Sequence, residues 1–316
     1  MTKIVALAGG VGGAKLADGL ARIVSPEDLT IIVNTGDDFE LFGLKISPDI
    51  DTVCYTISGL ANPETGWGRR DETWNTLHAL KELDAPTWFN LGDADLALHL
   101  ERSRLEHEGL ELSEITQQIC KKLRIQQTIL PMTDDQVSTI ITTREYGDLA
   151  FQEYFVKYQF QPTMMGLKFD GVDWAHAPRK AVEKLEQADS IIICPSNPWV
   201  SILPILSVSE IKNIVAEKKA VAVSPIIGGN ALKGPAAKMY REMGIVPSAT
   251  EVARQYLPYL NGFVLDEVDA GEQENIEQWG IISMATNTIM TSNEDRVRLA
   301  KEVLEFSLKS HKGKAE

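Results

Sequence analysis

The sequence predicts an α/β protein with a parallel sheet core, and three observations carry that prediction. The chain opens on a short apolar run ended by Gly9-Gly10, then shows helical spacing and a second apolar run. The same rhythm of short apolar runs closed by Pro or Ser returns after residue 190. Between the two lies a stretch of different character, with long helical patterns and one hairpin pattern. With 316 residues, 44% of them hydrophobic and 24% charged, the chain can bury a substantial core. Those values exclude a disulfide miniprotein and a largely disordered chain.

The elements follow in order. Residues 4–8 form an apolar run of strand length, as in a strand buried on both faces. Leu16, Leu20 and Ile23 recur at helical spacing, predicting a helix over 13–23, and residues 29–33 make the next strand, ended by Asn34-Thr35-Gly36. Together they make a βαβ opening. Helices are predicted over 73–83 and 96–123, and residues 138–144 and 149–160 read as strands around a Tyr146-Gly147-Asp148 turn. Late in the chain, residues 190–194 and 220–223 are strands closed by Pro195 and by Ser224-Pro225, with a helix over 205–217 between them. A helix over 235–243 starts at a favoured N-terminal proline. Strands at 262–265 and 281–284 precede a closing helix over 293–309. The predicted organisation is a core made of residues 1–72 and 181–309, an inserted helical and hairpin lobe over 73–180, and a polar, frayed tail over 310–316.

Charge and cysteine usage narrow the function classes. With 45 acidic against 31 basic residues the net charge is −14, which argues against a nucleic-acid groove. It leaves room for small phosphorylated ligands, which a few glycine amides and one lysine can hold. Cys54, Cys120 and Cys194 show no CxxC or Cys/His spacing, so reduced thiols in a cytoplasmic protein are expected, without a zinc site. No signal peptide is read at the N-terminus and no apolar run approaches the roughly 20 residues of a membrane span, so no membrane partner is expected.

Ligands of such a sheet sit at the carboxyl ends of its strands, so the loops there carry the chemistry. Gly9-Gly10-Val11-Gly12-Gly13-Ala14-Lys15 misses both the Walker A and the G-x-G-x-x-G spacing, yet its glycines can aim amides at a phosphate with Lys15 as countercharge. Its competing reading is a tight turn with a solvated lysine. Asp37-Asp38, after the second strand, suits ribose hydroxyls, a hydrated magnesium ion or a cap. Asp49 and Asp51 are a second pair, with Asp51 favoured as base or metal ligand and a helix cap as the alternative. Trp88 can stack on a flat ring or serve the core. Asp93 is placed as an N-cap, and Asp95, His99 and Arg102 share one helix face, either meeting a phosphate or forming a surface salt-bridge stripe. Asp134-Asp135 is another paired-carboxylate loop or a capped turn. Ser196 and Asn197, hemmed in by Pro195 and Pro198, can hydrogen-bond a phosphate or a base edge. Gly228, Gly229 and Lys233, ahead of a helix, form a second candidate anion site.

These loops in this order resemble the 2-phospho-L-lactate transferase family of coenzyme F-420 biosynthesis. The resemblance rests on the run from Gly9 to Leu16, on Asn34-Thr35-Gly36-Asp37-Asp38 and Asp49-Ile50-Asp51-Thr52-Val53, and on Leu91-Gly92-Asp93. It continues through Pro131-Met132-Thr133-Asp134-Asp135, Pro195-Ser196-Asn197-Pro198 and Ser224-Pro225-Ile226-Ile227-Gly228. It implies a Rossmann-like core, Mg2+ as cofactor, and transfer of a phosphorylated three-carbon acid from a guanosine-diphosphate-activated donor to the ribityl hydroxyl of the deazaflavin Fo, with GMP leaving. It further implies that Gly10, Gly12, Gly13 and Lys15, with Gly228, Gly229 and Lys233, cradle the donor phosphates, and that Ser196 and Asn197 hold the nucleotide. Asp37, Asp38 or Asp51 would bind the magnesium. Asp51, Asp38 and Lys15 would be the catalytic groups, and Asp51, Thr52, Trp88 and Asn90 would contact the acceptor, although a basic side chain is sometimes found where Asn90 stands. A homodimer rests on the resemblance alone. A nucleotide-sugar-binding regulator from a related branch and a nicotinamide-dependent dehydrogenase are the competing classes; the absent third glycine argues against the second.

The acidic excess bears on the cofactor. The pairs 37/38, 49/51, 93/95 and 134/135 supply eight of the 45 acids. Carboxylates at ligand sites would repel a phosphorylated donor unless a cation intervenes, which is an argument for magnesium.

Overall fold

The computed structural model describes residues 2–312. In chain order the strands are β1 (Ile4–Ala8), β2 (Leu29–Val33), β3 (Phe39–Leu41), β4 (Leu44–Ile46), β5 (Thr128–Pro131), β6 (Ser138–Thr143), β7 (Gly147–Ala150), β8 (Met164–Asp170), β9 (Ser190–Ile193), β10 (Ala220–Val223), β11 (Ile226–Ile227), β12 (Asn230–Ala231), β13 (Leu260–Asp266) and β14 (Ile282–Thr286). The helices nearest the site are α1 (Gly10–Ala21), α2 (Pro48–Ile57), α3 (Asn75–Glu82), α4 (Asp93–His107) and α5 (Leu112–Lys122).

Seven strands form one parallel sheet in the order β14-β13-β10-β9-β1-β2-β5. From β1 the chain winds outward to β2 and β5, then returns to lay β9, β10, β13 and β14 on the other side. That reversal is the Rossmann-like arrangement expected from the sequence, and it opens a crevice at the carboxyl ends of β1 and β9. The apolar runs are continuous because both faces of the sheet are covered. Val5 and Leu7 join one buried cluster, while Ile4, Ala6 and Ala8 join the other, as the two-residue period of a strand requires.

Several expectations need correction. Strand β5 falls inside the 73–180 stretch, yet it pairs with β2 as the edge of the core sheet, so that stretch is not wholly separate from the core. The helix expected over 96–123 is two helices, α4 and α5, parted at Gly109, whose φ of 89° an α-helix cannot accommodate. The helix over 205–217 likewise breaks at Val208 into Leu203–Ser207 and Ser209–Lys218. The second hairpin arm ends at Ala150 and turns helical, because Phe151 and Tyr154 reach the same small core only at helical spacing. Strand β8 takes the other edge of β6 instead. The closing helix runs Asn293–Lys312, three residues into the tail expected at 310–316, and residues 313–316 lie outside the described residues. Among the described residues no single helix is long and apolar enough to cross a membrane.

Candidate active site

The glycine turn stands at the sheet's reversal point. Gly9 leaves β1 in an extended conformation and Gly10, with φ of 59°, starts α1. The Gly9 N–H donates to Ser196 Oγ (3.0 Å) and the Gly10 N–H to Asp49 Oδ1 (2.6 Å). A Cβ on Gly9 would meet Asp49 Oδ2 at 2.5 Å and Ser201 Cβ at 2.7 Å, and Gly12 and Gly13 press on the Pro195 carbonyl and Ser196 Oγ. Glycine is therefore required for the turn to lie against the loop after β9. The first two amides already have protein acceptors, whereas Val11 and Gly12, next in the first turn of α1, have no partner within the helix. Lys15 donates to the Met290 carbonyl (2.7 Å). Burial, then Arg296 and Lys233, hold its pKa below the usual lysine range.

The carboxylates gather behind that turn. One amide, Asn34 Nδ2, donates to Asp37 Oδ1 (2.6 Å), Asp49 Oδ2 (2.9 Å) and the Val200 carbonyl (3.1 Å). Asp37 Oδ2 accepts from Gln152 (3.0 Å), and Asp38 Oδ2 accepts from the Ser47 hydroxyl (2.6 Å). Asp38 Oδ1 is buried with no hydrogen-bond partner. Burial raises Asp37 well above the ordinary range, Asp49 to about 6 and Asp38 to about 8, the last against the pull of Ser47, Arg102 and Lys45. A buried carboxylate oxygen without a donor, among acids that resist ionising together, suits a hard cation. Of the three expected metal ligands, Asp38 alone keeps such an oxygen; Asp37 is engaged by Asn34 and Gln152.

Asp51 lies in the first turn of α2 and both its oxygens contact the Arg102 guanidinium of α4, Oδ2 at 3.1 Å from Nη1 and Oδ1 with Nη2. Burial pushes the Asp51 carboxyl upward while Arg102 and His99 pull it down. The Arg102 guanidinium keeps its proton at neutral pH, and the net shift of the Asp51 carboxyl is upward, burial being the largest cause. Arg102 Nη1 also donates to His99 Nδ1 (3.0 Å), which leaves the hydrogen on Nε2, 3.5 Å from Asp95 Oδ2. The Tyr55 hydroxyl donates to Asp95 Oδ1 (2.6 Å). Asp51, Asp95 and His99 are metal-ligand types with candidate atoms within 4.8 Å of one another, but the guanidinium fills that corner with fixed positive charge. The stripe expected at the surface is thus a buried ionic network.

The other candidates divide clearly. Asn197 caps its own turn by accepting from the Trp199 N–H (3.0 Å). Gly228 and Gly229, both at positive φ, form the two-residue turn between β11 and β12, and the Gly228 N–H goes to the Asp269 carboxylate at 3.0 Å. The helix that follows is Ala236–Glu242, and ahead of it Lys233 Nζ donates to the Thr65 carbonyl (2.7 Å). Thr52 is buried in α2. Trp88 packs into a ring cluster with Phe39 and Phe89, and Asn90 is exposed. Asp93 caps α3 rather than its own helix, accepting from the Thr76 and Asn75 amides. Asp134 caps α5 through Ser113, and Asp135 holds the His176 amide (2.8 Å). Sequence reasoning missed Gln152, which sits in an unremarkable run, and the joining of Arg102 to Asp51; helical spacing put Arg102 on a face with His99 but could not say what the face meets.

Residues 4–302 match the family model described as 2-phospho-L-lactate transferase CofD. The chain is 41% identical over 304 residues to the 2-phospho-L-lactate transferase of Methanopyrus kandleri, covering 96% of each chain. It is 39% identical over 312 residues to the phosphoenolpyruvate transferase of Streptomyces griseus, covering 96% of this chain and 98% of that one. Among solved structures, protein BH3568 of Bacillus halodurans superposes with a TM-score of 0.66 over 96% of this chain and 99% of that one; at 13% identity this likeness concerns the fold.

Proposed function

The chain belongs to the 2-phospho-L-lactate transferase family, and on that premise we propose that it moves a phosphorylated three-carbon acid from a guanosine-diphosphate-activated donor to the ribityl hydroxyl of Fo in coenzyme F-420 biosynthesis. The observation that carries this reading is the full-length match to relatives named as transferases of both 2-phospholactate and phosphoenolpyruvate. In the reaction the hydroxyl oxygen forms a bond to the phosphorus that bears the acid. The bond from that phosphorus to the bridging oxygen breaks, GMP leaves with that oxygen, and the hydroxyl proton goes to a base.

The chain's own residues suit these tasks. The Val11 and Gly12 amides at the start of α1, with Lys15 and Lys233 nearby, would hold the donor diphosphate by hydrogen bonds and charge. Ser196 supports them indirectly by fixing Gly9. Asp51, held by Arg102, would orient the acceptor hydroxyl for in-line approach. The free oxygen of Asp38 is the best placed to hold Mg2+, which when bound would neutralise charge on the phosphoryl oxygens as a Lewis acid. Three buried, unbridged thiols accord with a cytoplasmic enzyme, and we take a homodimer as its working state from family resemblance. Mixing the protein with Fo, Mg2+ and each guanylated donor, with chromatography of the nucleotides, tests the proposal. Release of GMP and formation of Fo joined to the three-carbon acid through a phosphodiester are expected; no GMP with lactyl, enolpyruvyl or glyceryl donors would overturn it.

A further inference from the structure

Asp51 does not hold its position alone. Arg102 is only 1% exposed and is among the largest fully buried side chains of the protein. A buried guanidinium needs each of its faces compensated, and this one is surrounded by Asp51, His99 Nδ1 and, at 3.4 Å, the Lys45 carbonyl. The bidentate contact leaves the Asp51 carboxylate no freedom to rotate. Behind it stands a second rung. Tyr55, one helical turn after Asp51 on α2, donates to Asp95, one turn before His99 on α4. The His99 ring lies between the rungs, accepting from Arg102 on one nitrogen and turning the other toward Asp95. The two helices are therefore joined by a polar ladder with the Arg102–Asp51 pair at one end and the Tyr55–Asp95 pair at the other.

Fold stability alone does not call for such a ladder, since well-packed apolar residues commonly serve as well as a buried ion pair. We propose that Arg102, braced by His99, is the positioning residue that fixes the Asp51 carboxylate toward the acceptor. This rests on the proposed transferase activity and on Asp51 as its acceptor contact. Arg102 would act through Asp51 and touch neither substrate.

The test is a double-mutant cycle on the full-length protein with Arg102→Met, Arg102→Lys, Asp51→Asn and the combined variants, reading GMP release and the KM of donor and acceptor. Arg102→Met is expected to lower acceptor kcat/KM by about 100-fold, the scale of a misplaced reacting group. The donor KM should stay unchanged, and Arg102→Lys, which keeps the charge without the fork, should recover part of the loss. In the Asp51→Asn background, Arg102→Met should cost less than about 2-fold more, because coupled residues are not additive. Losses that multiply, or a donor KM that rises with the acceptor KM, would overturn the inference while leaving the activity standing. A wild-type protein that makes no GMP overturns the activity and this inference together. Should Arg102→Met fail to fold by circular dichroism, the Arg102→Lys arm of the cycle decides the question on the same criteria.

Discussion

Gly9→Ala is the sharpest perturbation of the site available from a single methyl group. Its backbone is extended, with φ of −161°, so alanine adds no backbone strain there. The methyl would stand 2.7 Å from Ser201 Cβ and 2.5 Å from Asp49 Oδ2. Ordinary contacts need about 3.4 Å or more, so the loop after β9 and the Asp49 carboxylate must each retreat by roughly 0.7–1 Å. Both are bonded to the glycine turn, through Gly9 to Ser196 and Gly10 to Asp49, so the retreat loosens the mouth of the crevice. Overpacking of this kind costs about 1–3 kcal/mol. A chain of 316 residues loses on the order of 1.5 °C of Tm per kcal/mol, so a fall of about 1.5–4.5 °C is expected. A shift near 1 Å in a positioning element also costs on the order of 100-fold in kcat/KM. Gly166→Ala in β8, where a Cβ meets nothing within 4 Å, is the matched control and should leave both quantities unchanged. Thermal unfolding followed by circular dichroism and GMP release measured on both variants make the assay. A Gly9→Ala protein with wild-type Tm and turnover would refute the close-packed turn.

Further outcomes follow from the carboxylates. Asp49 and Asp38 have folded-state pKa values raised by burial to about 6 and about 8, so the stability they contribute is fully present below their unfolded value and lost as pH rises through those points. The Asp49 loss is nearly complete by about pH 6.5, so above that point Asp38 carries the effect: the ligand-free protein should melt higher at about pH 6.5 than at about pH 9, with a shallower slope in Asp38→Asn; a Tm that climbs with pH over that window would contradict it. Removing divalent cations with EDTA should abolish GMP release and Mg2+ should restore it, with Asp38→Asn raising the Mg2+ needed for half-maximal rate by about 10-fold or more. Because Asp269 holds the Gly228 amide, Asp269→Ala should destabilise the protein by about 1 kcal/mol and move the donor KM by less than about 2-fold. A large change in donor KM would return Gly228 to the donor site.

Much of this protein could be read from its residues alone. Apolar runs of strand length marked six of the seven core strands, the first four of them closed by glycine or proline, because strands buried on both faces leave no polar position to interrupt them. The glycine run after β1, the Asn34 to Asp38 turn and the Asp49 to Val53 segment identified the family and the crevice together, since each loop follows a strand end or opens a helix. Edge strand β5 escaped notice inside a stretch of lobe-like composition, and short helices merged where only a left-handed Gly109 parts them. Within the site, local spacing could name acids without saying which were spoken for. Asp93 and Asp134 turned out to cap neighbouring helices, and Gly228 to serve a hairpin, so the acidic argument for a cation narrows from four pairs to the two at 37/38 and 49/51. A carboxylate's role is decided by what reaches it, and the groups that reach these come from far along the chain: Gln152 to Asp37, Arg102 to Asp51, Gly10 to Asp49. Local pattern determined the elements and the order of the loops; only the packing of α2 and α4 against the strand ends determined which oxygens remained free, because burial and hydrogen bonding are properties of neighbours in space.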